Sequence, residues 1–232
     1  MTVRKALIGA LVACAIGISA IGTAAAQPAA PPAGFNLYEK YTQKSPDGAV
    51  TIEQYLNQQT DEWKWLFWAR WQSTFTLLDP EPALYGAHFL FTNDQKWIIR
   101  EQKIGSGTST LHLYRLTPQG YVRAGKKPLG DLAWAFMKST RDWRKIVKAP
   151  EYHDTVYLVE GLEENYRSLG VDWPANRYLV IGLFGAAEVK GRKPSQTSVV
   201  NGWRCRYDLQ TGKFDVPSVF SRDNAKAVVP PT

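Results

Sequence analysis

The side chains able to do chemistry are few in this sequence and widely scattered. Three histidines, His88, His112 and His153, fall in three separate segments, and none is spaced i, i+4 with another ligand on a helical stretch, so no preformed metal site is expected. His153 stands beside Asp154, the one adjacent imidazole–carboxylate pair. Neighbours on a strand point to opposite faces, however, so the pair cannot form the hydrogen bond that orients a general base. Glu160, Glu163 and Glu164 form the densest carboxylate group. Paired carboxylates cleave glycosides only at a suitable separation across a cleft, which a sequence does not specify, and a solvated acidic turn is the plainer expectation. Cys205 alternates in phase with Trp203 and Tyr207, as a thiol buried in a core would, and is expected to be inert.

Two glycine patterns fail on inspection. Gly120 to Lys126 has the spacing of a phosphate-binding loop, but Lys127 stands where Ser or Thr would bind magnesium and Pro128 follows where a helix would begin. Gly105-Ser106-Gly107 lacks the third glycine of a dinucleotide fingerprint and the spacing that exposes a nucleophilic serine. The sequence therefore assigns no catalytic residue, no metal and no cofactor. What remains is aromatic: 9 Trp, 11 Tyr and 9 Phe, whose rings build cores or stack on sugars and bases. Four residues are candidates for binding. Trp68 and Arg70 fall on the expected outward face of a strand, and His112 and Tyr114 share one strand face opposite Leu111 and Leu113. For His112 a solvated surface histidine is the plainer reading.

Hydrophobic periodicity describes the elements that carry these residues. Thr51 followed by Gln54 matches a capping box, and Ile52, Tyr55 and Leu56 make one stripe of a short helix ending near Thr60. From Trp63 the period becomes two: Trp63, Trp65, Phe67, Ala69, Trp71, Phe75 and Leu77 hold odd positions and form the expected core face, with Trp68 pointing out. Asp79 to Pro82 ends that element. Ala87 to Phe91 and Lys96 to Glu101 flank a turn, and Leu111 to Leu116 turns through Thr117 to Gly120 into Tyr121, a run of hairpins making an antiparallel meander. Asp131 is placed to cap a helix reaching about Thr140, with Leu132, Ala135 and Phe136 inward. Tyr178 to Phe184 is continuously apolar, as in a strand buried on both faces. Trp203 to Leu209 alternates, turns at Gly212 into Lys213 to Val216, and Pro217 opens a terminal helix. The fold class expected is mainly β (α+β): a single antiparallel β-meander sheet with two or three short helices, in one domain over residues 35–232.

The start of the chain specifies an address. Arg4 and Lys5 precede an apolar stretch from Ala6 to Gly22, and Thr23-Ala24-Ala25-Ala26 supplies small residues for cleavage, so residues 1–26 read as a secretory signal peptide. Leu11-Val12-Ala13-Cys14 also matches a lipoprotein box, which would tether the protein through Cys14. An uncleaved anchor is the third reading, over a stretch at the short end of the ~20 residues a span needs. Residues 27–34 form a Pro/Ala-rich spacer. Residues 1–26 carry two of the 28 basic residues and none of the 21 acidic ones, leaving 26 against 21, a net charge of +5 dispersed along the chain. Dispersed charge and export argue against a nucleic-acid partner. The sequence points to an exported periplasmic or secreted protein that binds an envelope glycan, peptide or protein, the alternative being an envelope hydrolase with a site assembled from dispersed His and acidic residues. A membrane partner follows only from lipidation at Cys14 or an uncleaved signal.

Overall fold

A computed structural model describes residues 30–59, 62–145, 152–159, 176–188 and 196–228. The expected signal peptide with Cys14, the acidic group Glu160, Glu163 and Glu164, and most of the Lys190–Ser198 loop lie outside the described residues. The protein is mainly β, in two sheets rather than the single one expected. The first sheet holds β1 (Asn36–Leu37), β2 (Gln43–Lys44), β3 (Val50–Asn57), β4 (Lys64–Trp71) and β5 (Thr74–Leu77). The second holds β6 (Ala87–Phe91), β7 (Trp97–Gly105), β8 (Thr108–Thr117), β9 (Gly120–Arg123), β10 (Tyr152–Leu158), β11 (Tyr178–Glu188), β12 (Gln196–Asp208) and β13 (Lys213–Asp215). Its order is β13-β12-β11-β10-β8-β7-β6, with β9 beside β8, and all its pairings are antiparallel except a short parallel contact between β10 and β8. The meander expected over residues 87–123 is therefore present as one part of a larger sheet. Two α-helices, α1 (Leu129–Ser139) and α2 (Ser221–Ala227), complete the described elements with three single 3-10 turns.

The layers follow from which strand faces are apolar. Val50, Ile52, Leu56, Trp65, Phe67 and Ala69 of the first sheet pack on Phe89, Phe91, Ile98, Tyr114 and Tyr121 of the second, with the Phe67 and Phe89 rings edge-on at 5.4 Å. The opposite face of the second sheet, including Ile99, Leu111, Leu113, Ile181, Trp203 and Cys205, lies under Leu129, Ala133, Trp134 and Met137 of α1. A strand covered on both sides has no polar face, which is why Ile98 and Ile99 are adjacent and both buried. The Tyr178–Phe184 run behaves as expected: β11 lies between β10 and β12, and Leu179, Val180, Ile181 and Leu183 are all buried.

Buried polar side chains stitch the edges. Gln54 donates from its amide to the carbonyls of Tyr41 (2.9 Å) and Ala87 (2.8 Å) and accepts from the Ala87 N–H (3.1 Å). Gln43 adds a donation to Ala87 (3.3 Å) and accepts from the Phe89 N–H (2.8 Å). Two glutamines of the first sheet thus satisfy the backbone of β6 as a neighbouring strand would. On β12, Asn224 of α2 accepts from the Arg204 N–H and donates to its carbonyl, both at 2.8 Å.

Three local expectations are overturned. Residues 51–60 form no helix: Val50, Ile52, Gln54 and Leu56 all point inward from β3, which pairs with β4 on one edge and with β1 and β2 on the other. Those two ladders outweigh a capping box, a local signal worth about 1 kcal/mol. The helix α1 begins at Leu129 with Pro128 as its cap, two residues before Asp131, and buries Leu129, Gly130, Ala133, Trp134 and Met137 rather than Leu132 and Ala135. Phe136 is partly buried, stacked on Phe214 at 5.3 Å. Trp68, expected on the outward face, is fully buried. Leu66, Leu77, Tyr55, Phe35 and Phe75 cover it in a second apolar layer on the far face of the first sheet, with Phe75 stacked at 4.5 Å.

Candidate functional site

A segment joining the two sheets, residues 79–86, separates two adjoining cavities. It is fixed at three points and at the strand residue that follows it. Asp79 is held by ion pairs, Ala83 exchanges both backbone hydrogen bonds with Trp65 (2.7 and 2.8 Å), the Tyr85 carbonyl accepts from the Gln102 amide (3.0 Å), and Ala87 is held by Gln54.

The larger cavity, about 600 Å3, is an open cleft lined by Tyr41, Trp63, Trp65, Leu84, Tyr85 and Lys103, among others. Trp65 is its packed floor, with the rings of Tyr38 and Tyr41 edge-on to it at 5.5 and 5.4 Å. Trp63 (56% exposed), Leu84 (54%), Tyr41 and Tyr85 present free apolar surface around it. Gly86 lines the floor beside Gln54, Trp65 and Tyr41, where a Cβ would meet all three in ordinary van der Waals contact at 3.4 to 3.6 Å. The Lys103 ammonium lies 4.9 Å from the Tyr85 ring centre, a cation–π contact that fixes one wall.

The smaller cavity, about 230 Å3, lies on the other side of Leu84 and Lys103, which line both. Its wall is mixed: Asp79, Glu81, Arg100, Gln102, His112 and Arg123 supply the polar groups, set among Pro82, Ala83, Leu84 and Ile104. The Asp79 carboxylate accepts from Arg100 (2.9 Å), from Arg123 (3.1 Å) and from the Tyr114 hydroxyl. Burial first, then the two neighbouring guanidinium groups, push the His112 imidazole down to about 3, so it is neutral at neutral pH. Burial likewise raises the Tyr114 hydroxyl well above its ordinary range.

The four residues singled out from sequence are therefore divided and differently exposed. Trp68 and Arg70 belong to the far face of the first sheet. Arg70 is half exposed, pairs with Glu53 at 3.0 Å and lies 4.3 Å over the Phe75 ring that also covers Trp68. His112 and Tyr114 do share a face, but it is the buried one between the sheets, so neither is a surface residue. His88 is largely exposed on β6 with Glu101 at 3.6 Å, and the backbone of His153 lies in β10. Cys205 is buried and free, as expected. Trp63, expected in the core, forms a wall of the cleft instead. Leu84, Tyr85, Arg100, Lys103 and Arg123 were not singled out by motif. The one available signal was Leu84-Tyr85, two large apolar residues just after the prolines of a connecting segment. Among the described residues no group of three or more His, Cys, Asp or Glu side chains is placed to hold a metal, and no helix is long and apolar enough to cross a membrane.

Fold and site together define a two-sheet β protein with an aromatic cleft at the seam and a polar pocket beside it. No family model, no curated protein and no solved structure matches the chain.

Proposed function

We propose that this chain is an exported, non-catalytic binding protein of the bacterial envelope or its surroundings, and that its ligand is a glycan taken by the aromatic cleft. The observation that carries this reading is the exposure of Trp63, Tyr41 and Tyr85 around one 600 Å3 concavity whose floor is packed. Ligand pockets commonly span 300 to 1,000 Å3 and combine mostly apolar walls with a few polar groups. Sugar rings present flat C–H faces to aromatic rings, and leaving such rings in water has no benefit to the fold. Binding is preferred over hydrolysis because two of the titratable groups beside the cleft, Asp79 and His112, are poorly suited to moving protons. Asp79 is saturated by three donors, and an imidazole pushed down to about 3 is a weak base at neutral pH.

The test is a saccharide panel, including solubilised peptidoglycan fragments, read by tryptophan fluorescence and calorimetry. At least one saccharide should bind, and Trp63→Ala should weaken it tenfold or more with little change in melting temperature. Binding to peptides alone, or binding that Trp63→Ala leaves intact, would overturn the glycan reading. Export rests on the charged start, apolar stretch and Ala-Ala-Ala site. Mass spectrometry of the protein from its native host should find Gln27 first. An intact Met1 overturns export by cleavage, and a lipidated Cys14 places the cleft at a membrane surface.

A further inference from the structure

The pocket beside the cleft holds more positive than negative charge, with Arg100 and Asp79 buried in its floor and Lys103, Glu81 and part of Arg123 open to water. Arg100, Arg123 and Lys103 face Asp79 and Glu81, three cations against two carboxylates. Asp79 is fully engaged, while Glu81 lies exposed at the rim. Several buried polar atoms in the wall have no protein partner: Nε of Arg100, Nε of Arg123, Nδ1 of His112 and Oε1 of Gln102. The Arg100 side chain is only 5% exposed and Gln102 only 2%, so these are built-in features of the interior. A buried donor left unmatched costs about 1–3 kcal/mol, and more when charged, so the two unmatched guanidinium N–H groups of Arg100 and Arg123 favour an anionic acceptor, while Gln102 Oε1 is itself an acceptor. Guanidinium groups match the planar fork of a carboxylate.

From this we infer that the pocket is a carboxylate subsite, so that the glycan of the aromatic cleft is an acidic one whose carboxylate passes Leu84 and Lys103 to reach Arg123. The inference rests on the glycan reading of the cleft and specifies its ligand. The pocket has room for the carboxylate and the ring carbon bearing it, while the ring itself stays on Trp63 and Tyr85. Leu84, shared by both cavities, marks where the apolar part of the ligand gives way to the charged part.

Calorimetry with oligogalacturonate and its carboxyl-reduced, neutral counterpart tests the subsite separately from the cleft. The acidic form should bind at least tenfold more tightly, by an excess that shrinks in 0.5 M NaCl. Arg123→Gln should bring the acid-to-neutral ratio to within twofold, and Arg123→Lys, which keeps the charge, should restore part of it. Should Arg123→Gln fail to fold, Lys103→Gln at the exposed rim serves instead and should lower the same ratio severalfold. Equal affinity for both sugars, or a preference that survives these variants, overturns the subsite while leaving the glycan reading standing. Failure of both sugars to bind, with neutral saccharides of the wider panel bound, also overturns the subsite. Failure of every saccharide overturns the cleft reading, and the subsite with it.

Discussion

His112 shows how one residue reports its surroundings. Its imidazole is neutral in the fold because burial and two guanidinium groups oppose a second proton, whereas the unfolded chain takes that proton up near pH 6.5. Between those values the unfolded state binds more protons, so stability falls as pH drops from about 6.5 toward 3, and each unit of pKa difference is worth about 1.4 kcal/mol. Above pH 6.5 the group is neutral in both states and contributes no slope. Denaturant melts at pH 7, 6, 5 and 4.5 should show this loss, and His112→Gln should flatten it. An unchanged slope in the variant would assign the effect to other groups. Cys205 offers a second test, because burial raises its thiol and leaves it unexposed. A thiol reagent should label it slowly in the native protein and at once in denaturant.

At the scale of elements, the first sheet is apolar on both faces, and Trp68 is the side chain through which that is measured. Emptying its site should cost about 3–5 kcal/mol, as much as Trp65→Ala, and melting curves of the two variants should be displaced alike. If Trp68→Ala melts like the parent protein, its far-face layer is wrong. The helix expected at residues 51–60 and the outward Trp68 fail for one reason: each rests on a local pattern, and the partner that decides each lies outside it. Val50 to Leu56 becomes a strand because β4 is there to pair with it, and Trp68 is buried because Phe35 and Phe75 fold over it. Where the deciding signal is local, as in the Ala87–Glu101 hairpin, the interior β11 or the turn at Gly212, sequence and structure agree. Of the candidate site, only the presence of unusual aromatics was legible. The cleft joins residues 41, 63, 85 and 103, and no periodicity relates them. Gln54 ties Tyr41 to Ala87, two residues beyond Tyr85, so Gln54→Leu should cost about 1–3 kcal/mol by stranding the Ala87 amide and should also weaken any cleft ligand. A loss of stability with cleft binding intact would separate the two roles.

For the molecule as a whole, the edges of the second sheet matter as much as its core. Asn224 occupies both hydrogen-bonding groups of Arg204, where an open strand would otherwise offer itself to another chain. Asn224→Leu should therefore raise light scattering at high concentration, and an unchanged scattering curve would show that α2 shields the edge by bulk alone. The cleft draws its walls from both sheets, with Tyr41, Trp63 and Trp65 on one side of the seam and Lys103 on the other. A ligand seated there is bound only while both sheets are folded and docked. Occupancy at a hundredfold the dissociation constant adds about 2.7 kcal/mol to unfolding, which for a chain of this size raises the melting temperature by roughly 5 to 10 °C. Heat alone is therefore a usable probe for the unknown ligand: among compounds drawn blindly from a chemical library, those that belong to the seam will announce themselves by delaying the melt.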